Sequence, residues 1–367
     1  LKDAGRAGFV MSSQASSAGR DEQTVRRKIV ESGAVDAMIA IRSNFFYTRS
    51  VPCELWFFDR GKPTERLDKV LMLDARNVFR KVTRKVNDFS PEQLANLSSI
   101  VWLYRGQSER FVGLAHQHLK NAIAEAGAIA TAVSAFKAGC DALVDATAAY
   151  EKSLPKKSPL HALIKERSDA EKQCFLSASA LTAAITKHWR KPPKPTLAAV
   201  KKATSGMEEL ASSCRDLVKD VDLLSKLAVR FLDIAEKENG ARDSDAWETR
   251  TIARLKRDLN AIRVDAVDQL KTTAYFHRHA HWLLSRFPDA KLVDVPGLVK
   301  LVDRAEIEAA DWSLTPGRYV GVAPPEVDED FDFEQTMRDI HIELAGLNKE
   351  AVKLAKKIQT NFTELGI

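Results

Sequence analysis

The part of the chain that most limits its fold is a pair of apolar segments, 35–41 and 51–58, on either side of a polar connection. Their sequences, VDAMIAI and VPCELWFF, have the length and the content of β-branched and aromatic residues that are typical of strands. The connection holds three adjacent aromatic residues, Phe45, Phe46 and Tyr47. Aromatic rings in a loop are costly to expose unless something stacks on them. The segment therefore predicts two strands joined by a loop that offers rings for stacking.

The neighbouring segments extend these two strands into an α/β sheet. Residues 7–14 (AGFVMSSQ) predict a buried strand that runs into a Ser-rich loop, and residues 21–35 predict a short amphipathic helix. Gly33, a common helix stop, lies near the end of that helix. Residues 69–76 (KVLMLDAR) predict a further strand. The order strand, helix, strand, loop, strand is typical of one half of an open α/β sheet.

With this order and this aromatic loop, the N-terminal region resembles the N6-adenine DNA methyltransferases. More specifically, it resembles the modification (M) subunit of type I restriction–modification enzymes. The resemblance implies an enzyme that uses S-adenosylmethionine and holds a flipped adenine against an aromatic ring. Phe46 best matches the family's stacking residue, and Phe45 and Tyr47 are the alternatives one residue away. Arg49 follows them and could contact a DNA phosphate or pair with Asp36.

The part of the family fold that binds the cofactor has no match in this sequence. The family binds S-adenosylmethionine with a Gly-rich loop after its first strand, and it positions the adenine with an Asn-Pro-Pro-aromatic motif. Gly5 and Gly8 come too early to follow a complete strand, and neither Pro-Pro pair, at 192–193 and 324–325, follows an Asn. We therefore expect the C-terminal portion of an M subunit, without catalytic residues of its own. Alone, it should neither bind the cofactor nor methylate DNA.

From about residue 91 the pattern becomes helical. Pro91 stands where a helix begins, and apolar residues recur at helical spacing through 107–285, which predicts long antiparallel helices. Prolines at 153–159 and 191–195 mark breaks between them. We interpret this region as a scaffold or arm without chemistry.

Short runs of basic residues are candidates for contact with the DNA backbone. Arg80 and Lys81 belong to one run, and Arg190 and Lys191 belong to a second, Pro-rich one. The formal net charge of +6 permits nucleic-acid binding without requiring it. Each run, taken alone, is better explained as solvated surface.

Composition and short sequence patterns argue against a membrane protein, a secreted protein and a metal-binding protein. Hydrophobic residues make up 45% and charged residues 29%, as in a folded chain with ample core. We find no apolar run near the ~20 residues of a membrane span and no secretory signal, so we expect a cytoplasmic protein. His277 and His281 share one helix face, but two histidines make an incomplete metal site, and we predict no bound metal. The scattered cysteines predict buried thiols: Cys53, Cys140, Cys174 and Cys214.

A second segment that resembles type I M subunits is 311–322 (DWSLTPGRYVGV). In the family, the matching segment runs back along the protein in an extended form after the helical region. The triplet 315–317 (TPG) predicts a turn. Trp312 and Tyr319 are expected to anchor this strap to the body of the protein, and no chemistry is implied for it.

The last segment, 333–367, predicts an interaction helix. Its apolar residues alternate at spacings of three and four for roughly four heptads, with Asn361 as a polar exception. In type I enzymes this region of the M subunit packs against helices of the specificity (S) subunit. The alternative is that it packs onto the chain's own helical region. The predicted contact residues are Met337, Ile340, Leu344, Leu347, Leu354, Ile358 and Leu365.

Together these patterns predict a mainly α protein. Residues 1–90 would form the C-terminal half of an α/β methyltransferase sheet, 91–290 a helical domain, 291–332 the strap, and 333–367 a coiled-coil-like helix. The predicted function is part of a site-specific adenine-N6 DNA methyltransferase subunit that works with DNA, an S subunit and the N-terminal methyltransferase half. A restriction (R) subunit is a further candidate partner. The alternative is a non-catalytic, helix-rich interaction protein that retains a remnant of the sheet, in which all three loop aromatics would be buried.

Overall fold

The computed structural model describes residues 1–46 and 50–323, together with separate helical positions between 337 and 361. The chain divides into one compact unit, Leu1–Val322, and a second, Ala323–Ile367. The strands of the first unit are β1 (Arg6–Ser12), β2 (Val35–Ile41), β3 (Cys53–Asp59), β4 (Lys69–Asp74), β5 (Arg80–Thr83), β6 (Val86–Asp88) and β7 (Val299–Asp303). Its helices are α1 (Asp21–Glu31), α2 (Pro91–Tyr104), α3 (Ser108–Ser153), α4 (Leu160–His188), α5 (Leu197–Gly206), α6 (Glu208–Glu238), α7 (Thr249–Arg286) and α8 (Arg304–Ala309).

Five of the strands form one mixed sheet in the order β1-β3-β2-β4-β7. Strands β2 and β4 are parallel, whereas the other neighbouring pairs are antiparallel. Since β3 is antiparallel to both β1 and β2, strands β1, β2 and β4 all run in the same direction. Their carboxyl ends therefore meet at one edge of the sheet, the carboxyl edge. Strands β5 and β6 form a separate hairpin.

Alternate residues of the central strands point to opposite faces of the sheet, as the two-residue period of a strand requires. Met38, Met72 and Val302 pack on the face that is covered by α1, α8 and the strap. Leu71 and Leu73 belong instead to the core that continues into the long helices. The sheet is therefore the middle layer of three, with two hydrophobic cores.

Residues 108–286 form a helical arm in which α3 packs on α7, α7 on α6, and α6 on α4. The two ends of the arm meet. The Ser108 hydroxyl donates to the Ala290 carbonyl at 2.6 Å, and the rings of Phe111 and Phe287 pack edge to face with centroids 6.0 Å apart. The arm therefore leaves the sheet layer and returns to it at the same place.

Helix α3 contains an 18-residue window of mean hydropathy 1.3, which is long and apolar enough to cross a membrane by length and composition alone. The expectation that no such segment exists overlooked it, because an Ala-rich stretch does not look like a continuous apolar run. Leu119, Ile129 and Phe136 of α3 are buried in the core of the arm, as in a helix bundle.

The predicted strands and the mainly helical composition are confirmed, but the strand within 7–14, predicted to be buried, is the exposed strand β1, because it lies at the edge of the sheet. The segments 35–41, 51–58 and 69–76 correspond to β2, β3 and β4, with β3 ending one residue later, at Asp59. Helix α2 begins at Pro91, after a capping box in which Ser90 and Gln93 satisfy each other's backbone N–H groups. All four cysteines are free and buried, as predicted.

The region 291–332, predicted as an extended strap, is not extended throughout. Residues 299–303 join the sheet beside β4 as β7, and Asp303 then caps α8 in a capping box with Glu306. Only the following stretch wraps the sheet as a strap. The described positions between 337 and 361 are helical. The coiled-coil pairing of that segment stays a prediction, and Leu347 and Leu365 lie outside the described residues.

A candidate base-binding edge of the sheet

The loop that follows β2 is fixed at its base by β6. Asn44 adopts a left-handed conformation with φ +67°, which turns the chain sharply and is tolerated by Asn better than by most residues. The Asn44 carbonyl accepts from the Asn87 backbone N–H at 2.8 Å, and the Asn87 side-chain amide donates to the Ser43 carbonyl at 3.0 Å. The start of the aromatic loop is therefore held in a defined position beside the sheet.

The two described rings of this loop have different surroundings. The Phe45 ring is half-buried and packs on Phe89, with centroids 4.6 Å apart. Phe46 is 39% exposed. Tyr47 and Arg49 lie outside the described residues. Of the two described rings, only Phe46 is open to solvent at the carboxyl edge.

A buried polar cluster, which the sequence interpretation missed, lies where β3 begins after the loop. The Glu54 side chain is buried and accepts a hydrogen bond from the Ser16 hydroxyl. Asp74, at the end of β4, accepts from Arg76 Nε at 2.9 Å and Nη2 at 2.5 Å. Burial raises the pKa of Glu54 to about 8, with Arg76 opposing this shift and Asp74 adding to it. Glu54 is therefore mostly protonated and neutral at pH 7.

The strap covers this cluster. A Cβ atom added at Gly317 would lie 2.5 Å from Arg76 Nη2 and 3.4 Å from Asp74 Oδ2, so a larger residue here would require the Arg76 guanidinium to shift. The Leu314 N–H donates to the Ser16 carbonyl at 2.9 Å. The predicted turn at 315–317 is a short 3₁₀ segment, Pro316–Arg318. The strap thus joins the loop after β1 to the end of β4.

The predicted anchors of the strap are in place. Trp312 is buried, and its carbonyl accepts from Arg26 Nε at 3.0 Å. Tyr319 packs against the core beneath the strap, and its hydroxyl donates to the Ser313 carbonyl at 2.5 Å. Both residues therefore stabilise the strap.

The predicted DNA-contacting residues lie on two separate elements. Arg80 is on the β5–β6 hairpin and pairs with Asp88, with Nε 2.5 Å from Oδ1, whereas Lys81 is exposed on the same hairpin. Arg190 and Lys191 are exposed in the connection between α4 and α5. Asp36, the alternative partner considered for Arg49, is buried and accepts from Arg105 Nη2 at 3.0 Å.

Parts of two features that could hold a ligand, the loop after β1 and the histidines of α7, are engaged in contacts within the protein. Ser16, in the loop after β1, is buried, and both its hydroxyl and its carbonyl are hydrogen-bonded within the protein. Among the described residues, no three His, Cys, Asp or Glu side chains come together as a metal site. His277 is buried and bonds through Nε2 to the Thr204 carbonyl at 2.8 Å, and its ring stacks near His281. We assign no described residue to S-adenosylmethionine or to a metal.

Part of this chain is similar to known proteins. Residues 1–125 match the family model described as N-6 DNA Methylase. The predicted resemblance to this family is confirmed. The "Type I restriction enzyme MjaIX methylase subunit" of Methanocaldococcus jannaschii is 36% identical over 93 residues, which cover 25% of this chain and 17% of that protein. The "Type I restriction enzyme HindI methylase subunit" of Haemophilus influenzae is 30% identical over 83 residues, 23% of this chain and 18% of that protein.

A solved structure is also similar over part of the chain. It is the type I restriction-modification system methyltransferase subunit from Streptococcus thermophilus, with 22% sequence identity over 28% of this chain and 20% of that chain, at a TM-score of 0.24. All three matched segments are short, since each covers a fifth or less of the known protein.

Proposed function

We propose that this chain is part of a type I modification subunit that methylates adenine N6 in DNA, and that its aromatic loop holds the target base. The observation that carries this proposal is the exposure of Phe46 on a loop whose start is fixed by Asn87. Ligands of open α/β sheets bind outside the carboxyl ends of the strands, which is where this loop lies. The similarity of residues 1–125 to N-6 DNA methylases supports the same assignment.

In the proposed mechanism the chain binds and orients the base. Extruding an adenine from the duplex costs ~a few kcal/mol, and stacking on an aromatic ring is worth ~1–3 kcal/mol. A ring already held at the edge loses little conformational freedom when the base arrives. S-adenosylmethionine, bound by other parts of the subunit, would supply the methyl group. No proton transfer is assigned to a described residue.

The proposed partners fit surfaces that the described residues leave open. Strand β1 is at the edge of the sheet and carries the exposed apolar residues Phe9, Val10 and Met11. An apolar edge strand is a template for further pairing, and we place the N-terminal methyltransferase half there. Five predicted S-subunit contacts are 44% to 60% exposed: Met337, Ile340, Leu344, Leu354 and Ile358. The setting would be the cytoplasm, where the DNA is.

The alternative, a non-catalytic protein with a remnant of the sheet, predicts that the loop aromatics are buried. Phe45 agrees with that prediction and Phe46 does not. A direct test is methyl transfer by the complete modification enzyme to unmethylated DNA, followed by digestion and a search for N6-methyladenine. We expect this product. Its absence, with all subunits folded and assembled, would favour the alternative.

Phe46 is tested in the same assay. We expect Phe46→Ala to lower kcat/KM by roughly 5- to 150-fold, because it removes a stacking interaction of ~1–3 kcal/mol, whereas Phe46→Tyr should retain most activity. Leu94→Ala, which removes an exposed apolar side chain of α2, is the control. Full activity of Phe46→Ala would move the stacking role to Phe45 or Tyr47.

A separate experiment tests the cofactor. Titration of S-adenosylmethionine into this chain alone should release no heat, and micromolar binding would contradict the proposal that other parts of the subunit bind the cofactor.

A further inference from the structure

A long groove runs along the helical arm between α3 and α4. It consists of two adjoining cavities of about 520 and 860 Å³, which share Ala130, Thr182, Thr186 and Arg190 in their walls. Along α3 the groove extends from Lys120 to the turn of Lys137, roughly 17 residues or ~26 Å. That length matches about five turns of a further helix laid in the groove.

The floor of the groove is made mainly of small and apolar side chains. Gly127 and Ala130 of α3 face Ala178 and Thr182 of α4, and Phe175 closes the floor near one end. The distance between packed helices depends on the side chains at their contact, and small ones permit a close approach. The groove is therefore suited to the apolar face of another helix.

Along the groove, helix α3 exposes small residues such as Gly127 and Ala130. In its 18-residue apolar window 28% of the residues are buried. In a surface helix, the apolar stripe normally faces a core and polar residues face solvent. The exposed part of this apolar surface is thus left for another partner.

Positive charges line the groove without negative ones. Its walls include Lys120, Lys137, Lys187 and Arg190, and no Asp or Glu among the described residues. Lys137 pairs with Asp141 at 2.9 Å. For the other three, the described part of the chain provides no carboxylate partner. An occupant with carboxylates beside its apolar face would supply the missing charges.

We propose that this groove binds an amphipathic helix of a partner protein, with an apolar face of small and aliphatic residues bordered by Asp or Glu. DNA fits the groove less well: its phosphates could pair with Lys187 and Arg190 in the walls, but over the apolar floor they would lose water where the side chains offer no donors. A lipid surface also fits less well, because membrane-surface helices present a protruding apolar face rather than a concave one. The proposal concerns the arm and does not depend on the role of the aromatic loop.

The first test uses two synthetic helical peptides of 18 residues with the same Leu/Ala face. One carries Glu along both borders of that face, and the other carries Lys at the same positions. Binding to the full chain is followed by fluorescence anisotropy of a label on the peptide. We expect the Glu peptide to bind at least tenfold more tightly than the Lys peptide, with an affinity that falls as salt is added. Equal binding of the two peptides, or binding of neither, would overturn the proposal.

The second test locates the site. Ala130→Trp fills the floor at an exposed position, and the double substitution Lys187→Glu with Arg190→Glu reverses the charge of the wall. Each should weaken binding of the Glu peptide at least fivefold with an unchanged circular dichroism spectrum. Lys165→Glu, an exposed charge reversal on α4 outside the groove, is the matched control and should bind as the unaltered chain does.

Competing occupants are tested with the same variants. The proposal is wrong if a 20-base-pair duplex or vesicles of anionic phospholipid bind the unaltered chain, lose binding in Ala130→Trp, and displace the Glu peptide. It is also wrong if sedimentation shows a dimer that Ala130→Trp dissociates, because a second copy would then fill the groove. Methylation by the complete enzyme carrying Ala130→Trp is measured in parallel, so that failure of the groove and failure of the aromatic loop give different results.

Discussion

At the scale of single residues, the carboxyl edge contains two kinds of side chain. Phe46 is exposed and was predicted from the sequence, whereas Glu54 is buried and was not. Yet the sequence did carry a signal for Glu54, because it is the only charged residue among the eight of VPCELWFF. An ionisable group within a strand whose neighbours are buried must be neutral, paired or hydrogen-bonded. Here Ser16 supplies the hydrogen bond.

The protonation of Glu54 predicts a specific dependence of stability on pH. Its pKa is about 8 in the folded chain and near 4.5 when unfolded. Between these values the folded state keeps a proton that the unfolded state has released, so this group lowers the free energy of unfolding as pH rises from about 4.5 to 8. Glu54→Gln keeps a hydrogen-bonding side chain and removes the titration. The difference in free energy of unfolding, variant minus unaltered chain, should therefore rise by ~2–4 kcal/mol between pH 5 and pH 8.

Urea unfolding of both proteins at pH 5, 6.5 and 8 measures this difference. Taking the difference between variant and unaltered chain cancels the contributions of the other carboxylates, which are common to both. If the difference between the two free energies of unfolding stays constant from pH 5 to pH 8, Glu54 is ionised in the folded state.

At the scale of elements, the strap is held by a close backbone approach rather than by an apolar contact alone. Gly317 lies directly over the Asp74–Arg76 pair, at the end of β4. Ion pair, loop and strap therefore depend on one another at this position. The separation is too short for any other residue type unless the guanidinium moves.

Gly317→Ala tests this dependence. The new Cβ would lie 2.5 Å from Arg76 Nη2, so the guanidinium must shift relative to Asp74, and because it ends a flexible, half-exposed side chain we expect a loss of no more than ~1 kcal/mol in the free energy of unfolding. Gly113→Ala, within α3, is the matched control because nothing lies within 4 Å of the added Cβ. That control should stabilise the chain by ~0.5–1 kcal/mol, since Ala replaces Gly within a helix. Equal effects from both substitutions in thermal or urea unfolding would contradict the role of the close approach.

The elements that the sequence predicted well are those whose local pattern and final environment agree. Strands β2 and β4 are apolar runs buried on both faces, and α2 carries its own capping box. Strand β7 was missed because its five residues, VKLVD, become a strand only through pairing with β4, far away in sequence. The contact of Gly317 with Arg76 has the same origin. The local sequence does not predict which distant side chain a turn will contact.

At the scale of the whole first unit, the sheet and the arm share one hydrophobic core. Leu71 and Leu73 of the sheet belong to the same buried cluster as Phe111 and Phe136 of α3. The chain through Val322 is accordingly one compact unit, although the family model matches residues 1–125 alone. Loss of packing in the sheet should therefore also destabilise the helices.

Leu71→Ala measures this coupling. Leu71 is fully buried, and its truncation should cost ~2–5 kcal/mol. We expect far-UV circular dichroism, which follows the arm, and hydrogen exchange of β2 and β4 amides to report the same loss. Leu176→Ala, at a side chain of α4 that is 68% exposed, should change stability by less than ~0.5 kcal/mol. If the strand amides exchange faster while the unfolding transition of the helices is unchanged, the sheet and the arm are two independent domains.

The meeting of Ser108 with Ala290 has a consequence for how such a protein changes over generations. The first and last helices of the arm meet beside the sheet at this hydrogen bond. Helical turns can therefore be added to or removed from two packed helices together at the far end of the arm, around Ser153 and Glu238, without moving a strand. Insertions and deletions would then change the length of the arm while the sheet stays the same. The same sheet could therefore carry an arm of a different length.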